Sequence, residues 1–436
     1  MNRPILDNVL PTLLGPVRAL LDKKADDKDV VKSVNGSKPD AKGNVDVSDG
    51  SLTPESYGLT ILYMNGDTAG MNKDNEVALN YVFGERAGTL TCKWQGSSSL
   101  AYDKKNYTVV FDTAFEAAEG WGEHSKYCLK ANWIDFSHIR NVIGAKLWGQ
   151  VCKTRGDQFN FYSLPNCGAI DGFPIMVVIN GAYQGLYSFN IPKDAWMFGM
   201  TGAADGECII SAENHTDATA FKAAALLDGT DFEYEYVGTD NEGVRSYITT
   251  QFNTIHEKLA AVNSYDTLYS EVGTVFDLQS AIDYMIFTAL LTADDCIGKN
   301  YLIVSTSGGY FQFSAYDLDS IFGNNWDGKS YLPVSRCSIA EIATRSAFFD
   351  AILKYTPDSL AGRYWQLRYG VLSEENVGNL VENYMAQIPK AAYDEEVRIW
   401  PGIPGTATDG MTQILNNYRL KLAKLDYEFS QLVPEA

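Results

Sequence analysis

Asp294-Asp295-Cys296-Ile297-Gly298-Lys299-Asn300-Tyr301-Leu302-Ile303, followed after Gly308-Gly309 by Phe311-Gln312-Phe313-Ser314-Ala315-Tyr316-Asp317-Leu318-Asp319, is the stretch from which the rest of the chain is best read. Upstream of it, Leu278, Ile282, Met285, Ile286, Ala289 and Leu290 recur at helical spacing, so a buried helix over Phe276 to Thr292 is predicted to deliver the chain to the first acidic pair. Two short strands joined by the glycine turn then return it and leave Asp317 and Asp319 at a strand end. A rigid loop beside a strand end brings several carboxylates together, and like charges at close range raise one another's pKa. A divalent cation relieves that repulsion. Magnesium characteristically takes one or two carboxylates and fills its shell with phosphate oxygens and water.

Asp295 to Asn300 also has the Asp-x-x-x-x-Asn spacing of a protein-kinase catalytic loop, in which a hairpin then leads to a metal-holding Asp. On that reading Asp295 orients the attacking hydroxyl, Asn300 is a metal ligand, and Asp317, with Asp319 as its rival, holds the cation. The competing reading is structural. The spacing alone is common, and a capped loop between a helix and a strand produces it equally well.

Working outward, the chain has 436 residues, 45% apolar and 12% aromatic, with 26 Tyr and 8 Trp. That is a globular composition with ample material for a core. The 55 acidic and 35 basic residues give a net charge of −20, which repels phosphate backbones and argues against a nucleic-acid partner. The same excess serves either solubility or cation binding. Seven cysteines carry no C-x-x-C pair and number only four histidines beside them, so reduced, mostly buried thiols are expected and a zinc site is not.

Strand signals run from Tyr57 to Pro192, at Leu59 to Tyr63, Tyr107 to Phe111, Pro174 to Ile179 and Gly185 to Phe189. One helix interrupts them, Phe136 to Val151, with Asp135 as N-cap. Ser211 to Gly243 is polar and reads as an insertion or surface loops. Helical patterns follow at Phe252 to Val262, Ile342 to Lys354, Glu375 to Ile388 and Met411 to Val433. The order is α+β, with a strand-rich lobe over 56–265, a helix-rich lobe over 266–436, and a cleft between them.

The N-terminus reads differently. Leu13, Leu14, Val17, Leu20 and Leu21 give residues 1–28 an amphipathic helix for anchoring or assembly. Its apolar patch is broken by Asp7, Asn8 and Pro11, so neither a signal peptide nor a membrane span is expected. Residues 29–55 form a hairpin-like element that needs neighbours to be stable. Within it, Ser33-Val34-Asn35-Gly36, Pro39-Asp40 and Gly43-Asn44-Val45 resemble a segment recurring near the N-termini of phage fibre and baseplate proteins. That resemblance implies a virion protein assembled in the host cytoplasm, a homotrimer, and contacts with other virion proteins through the arm.

Five further words, in order, resemble the CotH (spore coat protein H) kinase-like family. They are Lys104-Lys105-Asn106-Tyr107; Leu129-Lys130-Ala131-Asn132-Trp133-Ile134-Asp135 with Ile139-Arg140-Asn141; Val178-Ile179-Asn180-Gly181-Ala182-Tyr183-Gln184-Gly185-Leu186-Tyr187; Asp295 with Asn300; and Tyr316-Asp317-Leu318-Asp319-Ser320 with Phe322-Gly323. The resemblance implies a two-lobed protein-kinase-like fold, ATP with Mg²⁺ or Mn²⁺, and a protein as phosphate acceptor. It makes Lys104 or Lys105 the phosphate-contacting base, and Gly96, Ser97 and Ser98 a loop closing over the phosphates. One departure stands out. The family usually carries a glutamate after the Gly-x-Tyr strand, where this chain reads Ser188-Phe189-Asn190. With that acid missing, the first expectation is a phage fibre, tail or head decoration protein that uses the fold to bind a host-surface ligand, with no cofactor. The alternative is an active Mg²⁺- and ATP-dependent protein kinase.

Overall fold

Apolar residues at every second position turn the first half of the chain into strands whose inner faces must be covered. They cover one another by closing into a barrel. The computed structural model describes residues 57–155, 164–204, 206–306, 309–404 and 407–432. The expected helix of 1–28 and hairpin of 29–55 lie outside them. Gly58–Ala436 forms one unit, distinct from Met1–Tyr57.

The barrel comprises β1 (Ile61–Asn65), β2 (Val77–Phe83), β3 (Arg86–Gln95), β4 (Asn106–Glu116), β5 (Glu123–Lys130), β6 (Gly172–Ile179) and β7 (Ala182–Asn190), in the order β1-β2-β3-β4-β5-β7-β6. Closure comes from β1 pairing in parallel with β6, Leu62 opposite Val177. On β4 the buried Tyr107, Val109, Phe111 and Phe115 alternate with more exposed neighbours, as a two-residue period requires. Inside, Phe189 stacks on Phe83 at 5.2 Å and lies 4.6 Å from Tyr127, so aromatic rings fill the lumen. The α+β class holds; β1 to β7 close into a seven-stranded barrel, which takes up only part of the strand-rich lobe expected over 56–265.

Between β5 and β6 runs α1 (Arg140–Lys153). It begins four residues later than the apolar pattern suggests, because His138 takes a left-handed φ of 58° and holds the preceding residues in a turn. Asp135 still meets the helix start, its Oδ2 accepting the Arg140 N–H at 2.8 Å.

A second sheet follows, ordered β11-β10-β8-β9, from β8 (Cys208–Ala212), β9 (Phe232–Val237), β10 (Tyr301–Ser305) and β11 (Gln312–Ala315). Its strands come from both sides of residue 265, so the two expected lobes share it. The polar Ser211 to Gly243 segment contains β9. It reads as a loop because an edge strand leaves its Glu233 exposed while only Phe232 and Val237 are buried. The further helices are α2 (Glu242–Ala261), α3 (Tyr265–Glu271), α4 (Leu278–Leu290), α5 (Ile339–Arg345), α6 (Ala347–Tyr355), α7 (Pro357–Arg368), α8 (Glu374–Met385), α9 (Lys390–Ile399) and α10 (Ala407–Leu432); α4 packs on β11 of this sheet and α9 on β7 of the barrel. The single helix expected over Ile342 to Lys354 is two, broken where Ser346 is extended (φ −142°, ψ 131°).

On one sheet face, Phe313 of β11 stacks on Tyr284 of α4 at 4.9 Å and Phe276 meets Phe348 at 4.5 Å. The other face is more polar: Ser211 on β8, Leu302 on β10 and Ser314 on β11 lie in one cross-strand row. All seven cysteines are unpaired and six are buried. No helix among the described residues is long and apolar enough to cross a membrane.

Candidate functional site

Helix α4 is buried along its whole length and ends against a 3₁₀ turn at Asp294–Cys296. The two adjacent carboxylates there have different fates. Asp294 is taken by Arg336 Nε at 2.7 Å and by Arg345 Nη1 at 2.5 Å. Burial alone would raise its carboxyl, but the two guanidiniums hold it below the usual range. It is a structural anchor. Asp295 is a third exposed, and its oxygens are held from two sides, Oδ1 by His215 Nε2 at 3.1 Å and Oδ2 by the Asn300 amide at 2.6 Å. Asn300 thereby spends its NH₂ on Asp295 and keeps its carbonyl oxygen for another ligand.

Helix α1 positions the second acidic element. Asn141 Oδ1 accepts the Leu318 N–H at 3.0 Å, and Arg140 Nε donates to Ile321 O at 3.1 Å while its guanidinium pairs with Asp135. Gly144 lets the segment come close, since a Cβ there would sit 2.6 Å from Ile321 and 2.8 Å from Leu318. Ile139-Arg140-Asn141 therefore acts as a clamp on Asp317-Leu318-Asp319. Asn300 and Asp317 both adopt left-handed backbone, with φ of 55° and 53°. Such φ is uncommon outside glycine and clusters at functional positions.

These carboxylates share one electrostatic environment. The Asp319 carboxyl is pushed well above its usual range, first by burial and next by Asp317; Lys130 pulls it down, while Asp295 and Asp135 push it further up. Asp319 thus resists ionisation first because it is buried and next because Asp317 lies near it, with Lys130 as the counter-charge. The donors are all oxygen, which fits a hard cation such as Mg²⁺. Asp317 and Asp319, with Asn300, would hold it, and no all-protein cage is needed because phosphate and water complete such a shell.

The two predicted lysines lie elsewhere. Lys104 is 1% exposed, and its three N–H groups go to Ala131 O, Leu186 O and Glu396 Oε1 of α9. Glu396 Oε2 accepts the Leu186 N–H at 2.8 Å, and His138 Nε2 is 3.8 Å from Oε1. Burial would raise the Glu396 carboxyl, but Lys104 and His138 outweigh it and hold the carboxyl below its usual value. Desolvation draws the Lys104 ammonium down as well. With all three donors accepted, one by a carboxylate, the pair remains ionised. Gly185 makes this packing possible: its φ is 102°, and a Cβ would lie 2.1 Å from Glu396 Oε2. Thus the lysine that sequence reasoning left without a glutamate has one, contributed by a helix 292 residues further on.

Lys105 donates to Leu100 O at 2.8 Å and to Tyr102 O, closing the turn after β3. Gly96, Ser97 and Ser98 form the start of that turn, Ser97 and Ser98 exposed. The Tyr102 hydroxyl at its end feels Asp319: burial and then that charge raise its pKa. Tyr102 is therefore within electrostatic reach of Asp319.

Sequence reasoning missed two lysines, a histidine and a group of three glutamates. Lys130, the last residue of β5, places Nζ 3.9 Å from Asp317 Oδ1 and 5.8 Å from the Tyr316 ring centre. Lys193 lies over the same ring at 4.7 Å and pairs with Glu235. Glu235, Glu213 and Glu233 bring one oxygen each within 4.8 Å of one another. The histidine is His215, against Asp295. Lys130 stood inside a quoted motif and was legible as a word without a role; His215 and the glutamates carried no local signal.

Among known families, the model described as CotH kinase protein matches residues 92–421, well over half of the chain. No curated protein matches.

Proposed function

The chain belongs to the CotH kinase protein family, and from that premise and the site's geometry we propose that it is a Mg²⁺- and ATP-dependent phosphotransferase acting on a hydroxyl of a protein partner. The observation that carries the reading is the acidic site itself, Asp317 and Asp319 with Lys130 as their counter-ion, beside the His215-, Asn300-held Asp295. A bound Mg²⁺ would offset charge on the transferred phosphoryl group. Asp295 orients the acceptor hydroxyl and takes its proton, with His215 and Asn300 fixing the carboxylate's direction. Asn300, Asp317 and Asp319 hold the cation, and Gly96 to Ser98 close over the phosphates. Transfer of ³²P from γ-labelled ATP to protein, measured for the parent and for Asp317→Asn and Asp295→Asn, tests this. Label on the parent that requires Mg²⁺ and is lost in both variants is expected; a parent that labels nothing in any phage or host extract, or variants that label equally, overturns it.

A second reading is compatible with the first and rests on Ser33-Val34-Asn35-Gly36, Pro39-Asp40 and Gly43-Asn44-Val45. In it the domain is carried on a phage virion, as a homotrimer in a fibre, tail or head decoration that contacts the host surface. Antibody-gold electron microscopy of purified particles tests it, and particles without label remove it.

A further inference from the structure

We propose that Lys130, rather than Lys104 or Lys105, is the cation that receives the nucleotide phosphates. This rests on the phosphotransfer reading above and deepens it. Three observations lead to it. Lys104 has no donor to give: its three N–H groups are saturated inside the protein at 1% exposure. Lys105 is committed to the carbonyls of its own turn. Lys130 instead ends a barrel strand beside Asp317, its side chain 14% exposed, and its contacts there are one ion pair at 3.9 Å and the Tyr316 ring. Among the described residues no hydrogen bond fastens its Nζ.

That is the arrangement expected of a lysine that changes partners. With the carboxylates bare, the ammonium serves as counter-ion to Asp317. Once a cation neutralises Asp317, Lys130 is repelled from it and turns on its flexible four-carbon stem to the nearest anion, the phosphate oxygens. In the first position its Nζ also lies 5.8 Å from the Tyr316 ring centre. Lys193, which lies 4.7 Å from the centre of the same ring, is kept from this role by Glu235.

The test uses binding, independent of turnover. Mg·ATP and adenosine are titrated calorimetrically into the full chain and into Lys130→Met, Lys130→Arg and Lys104→Met, with melting temperatures recorded for each. Lys130→Met is expected to melt as the parent does, to bind Mg·ATP ~10- to 100-fold more weakly, the range for losing one charge-assisted contact, and to bind adenosine unchanged. Lys130→Arg recovers most of the loss. Lys104→Met is expected to melt earlier. If the parent binds Mg·ATP and Lys130→Met binds it equally, the role of Lys130 is refuted while the site reading stands. If the parent binds no Mg·ATP, both fall together.

Discussion

Removing Lys104 from beneath Glu396 gives the sharpest prediction about what holds the barrel to the helical layer. Lys104→Met is nearly isosteric, so packing is retained, but it strands an ionised carboxylate with 0% side-chain exposure. Breaking a buried pair from one side costs about 3–5 kcal/mol, a large share of a domain's total stability. Glu396→Gln is a different perturbation. Its amide oxygen can still accept the Leu186 N–H now held at 2.8 Å, but it leaves the Lys104 ammonium without a counter-charge. In the double variant both charges are gone, and the Gln NH₂ can donate to Ala131 O or Leu186 O, which Lys104 now serves. The double variant should therefore lose less than Lys104→Met alone, with a coupling of about 2 kcal/mol or more. Urea denaturation of the four proteins at pH 7 reads this out. Strictly additive losses, or a Lys104→Met cost below about 1 kcal/mol, would refute the reasoning. The pH dependence has a definite sign. Glu396 is held below its unfolded value, so its contribution is full above that value, near 4.5, and is lost as pH falls through the folded pKa. Glu396→Gln should flatten this part of the acid limb.

Gly185→Ala should cost at least about 2 kcal/mol in the same assay, because the new Cβ meets Glu396 Oε2 on backbone that only glycine adopts freely. Asn141→Ala, which leaves the Leu318 N–H without its acceptor, should cost about 1–3 kcal/mol and weaken Mg²⁺ binding; unchanged Mg²⁺ affinity would detach helix α1 from the site. His215→Ala should lower kcat for phosphotransfer by about tenfold with KM for ATP unchanged, and His215→Gln should restore part of it; an equal fall in both variants would make the contact merely structural. The raised Asp319 carboxyl binds its proton more tightly in the folded state, so without a divalent cation stability should decline as pH rises from the unfolded carboxylate range through the folded pKa. Mg²⁺ should reverse that decline, a thermal shift that grows as pH rises above the unfolded carboxylate value and disappears in Asp319→Asn.

Much of this was legible in the sequence where the signal is local. The strand at Tyr107 to Phe111 declares itself by alternation, helix α4 by its apolar stripe, and the acidic loop and Asp317-Leu318-Asp319 by their spacing around a hairpin. What escaped is what the chain assembles across distance. Barrel closure depends on β1 finding β6 at Leu62 and Val177, a register no local window contains. Strand β9 was lost because an edge strand with alternating glutamates looks like a loop. Glu396 could not be paired with Lys104, since nothing in Tyr393-Asp394-Glu395-Glu396 distinguishes a buried acid from a solvated helix face. The family resemblance points to a glutamate near the strand end after Gly-x-Tyr, where the chain has no acid until Asp194; helix α9 brings Glu396 to Lys104 instead.

The proposed hard-cation site lies among Asn300, Asp317 and Asp319, beside Asp295. Anomalous diffraction from crystals soaked in Mn²⁺ and an ATP analogue measures this directly. The account predicts a single strong peak within coordinating distance of Asp317 and Asn300, with the analogue's phosphates against it and Lys130 turned toward them. Nucleotide density with no manganese peak among these residues, or a peak held only by Glu213, Glu233 and Glu235, would contradict it.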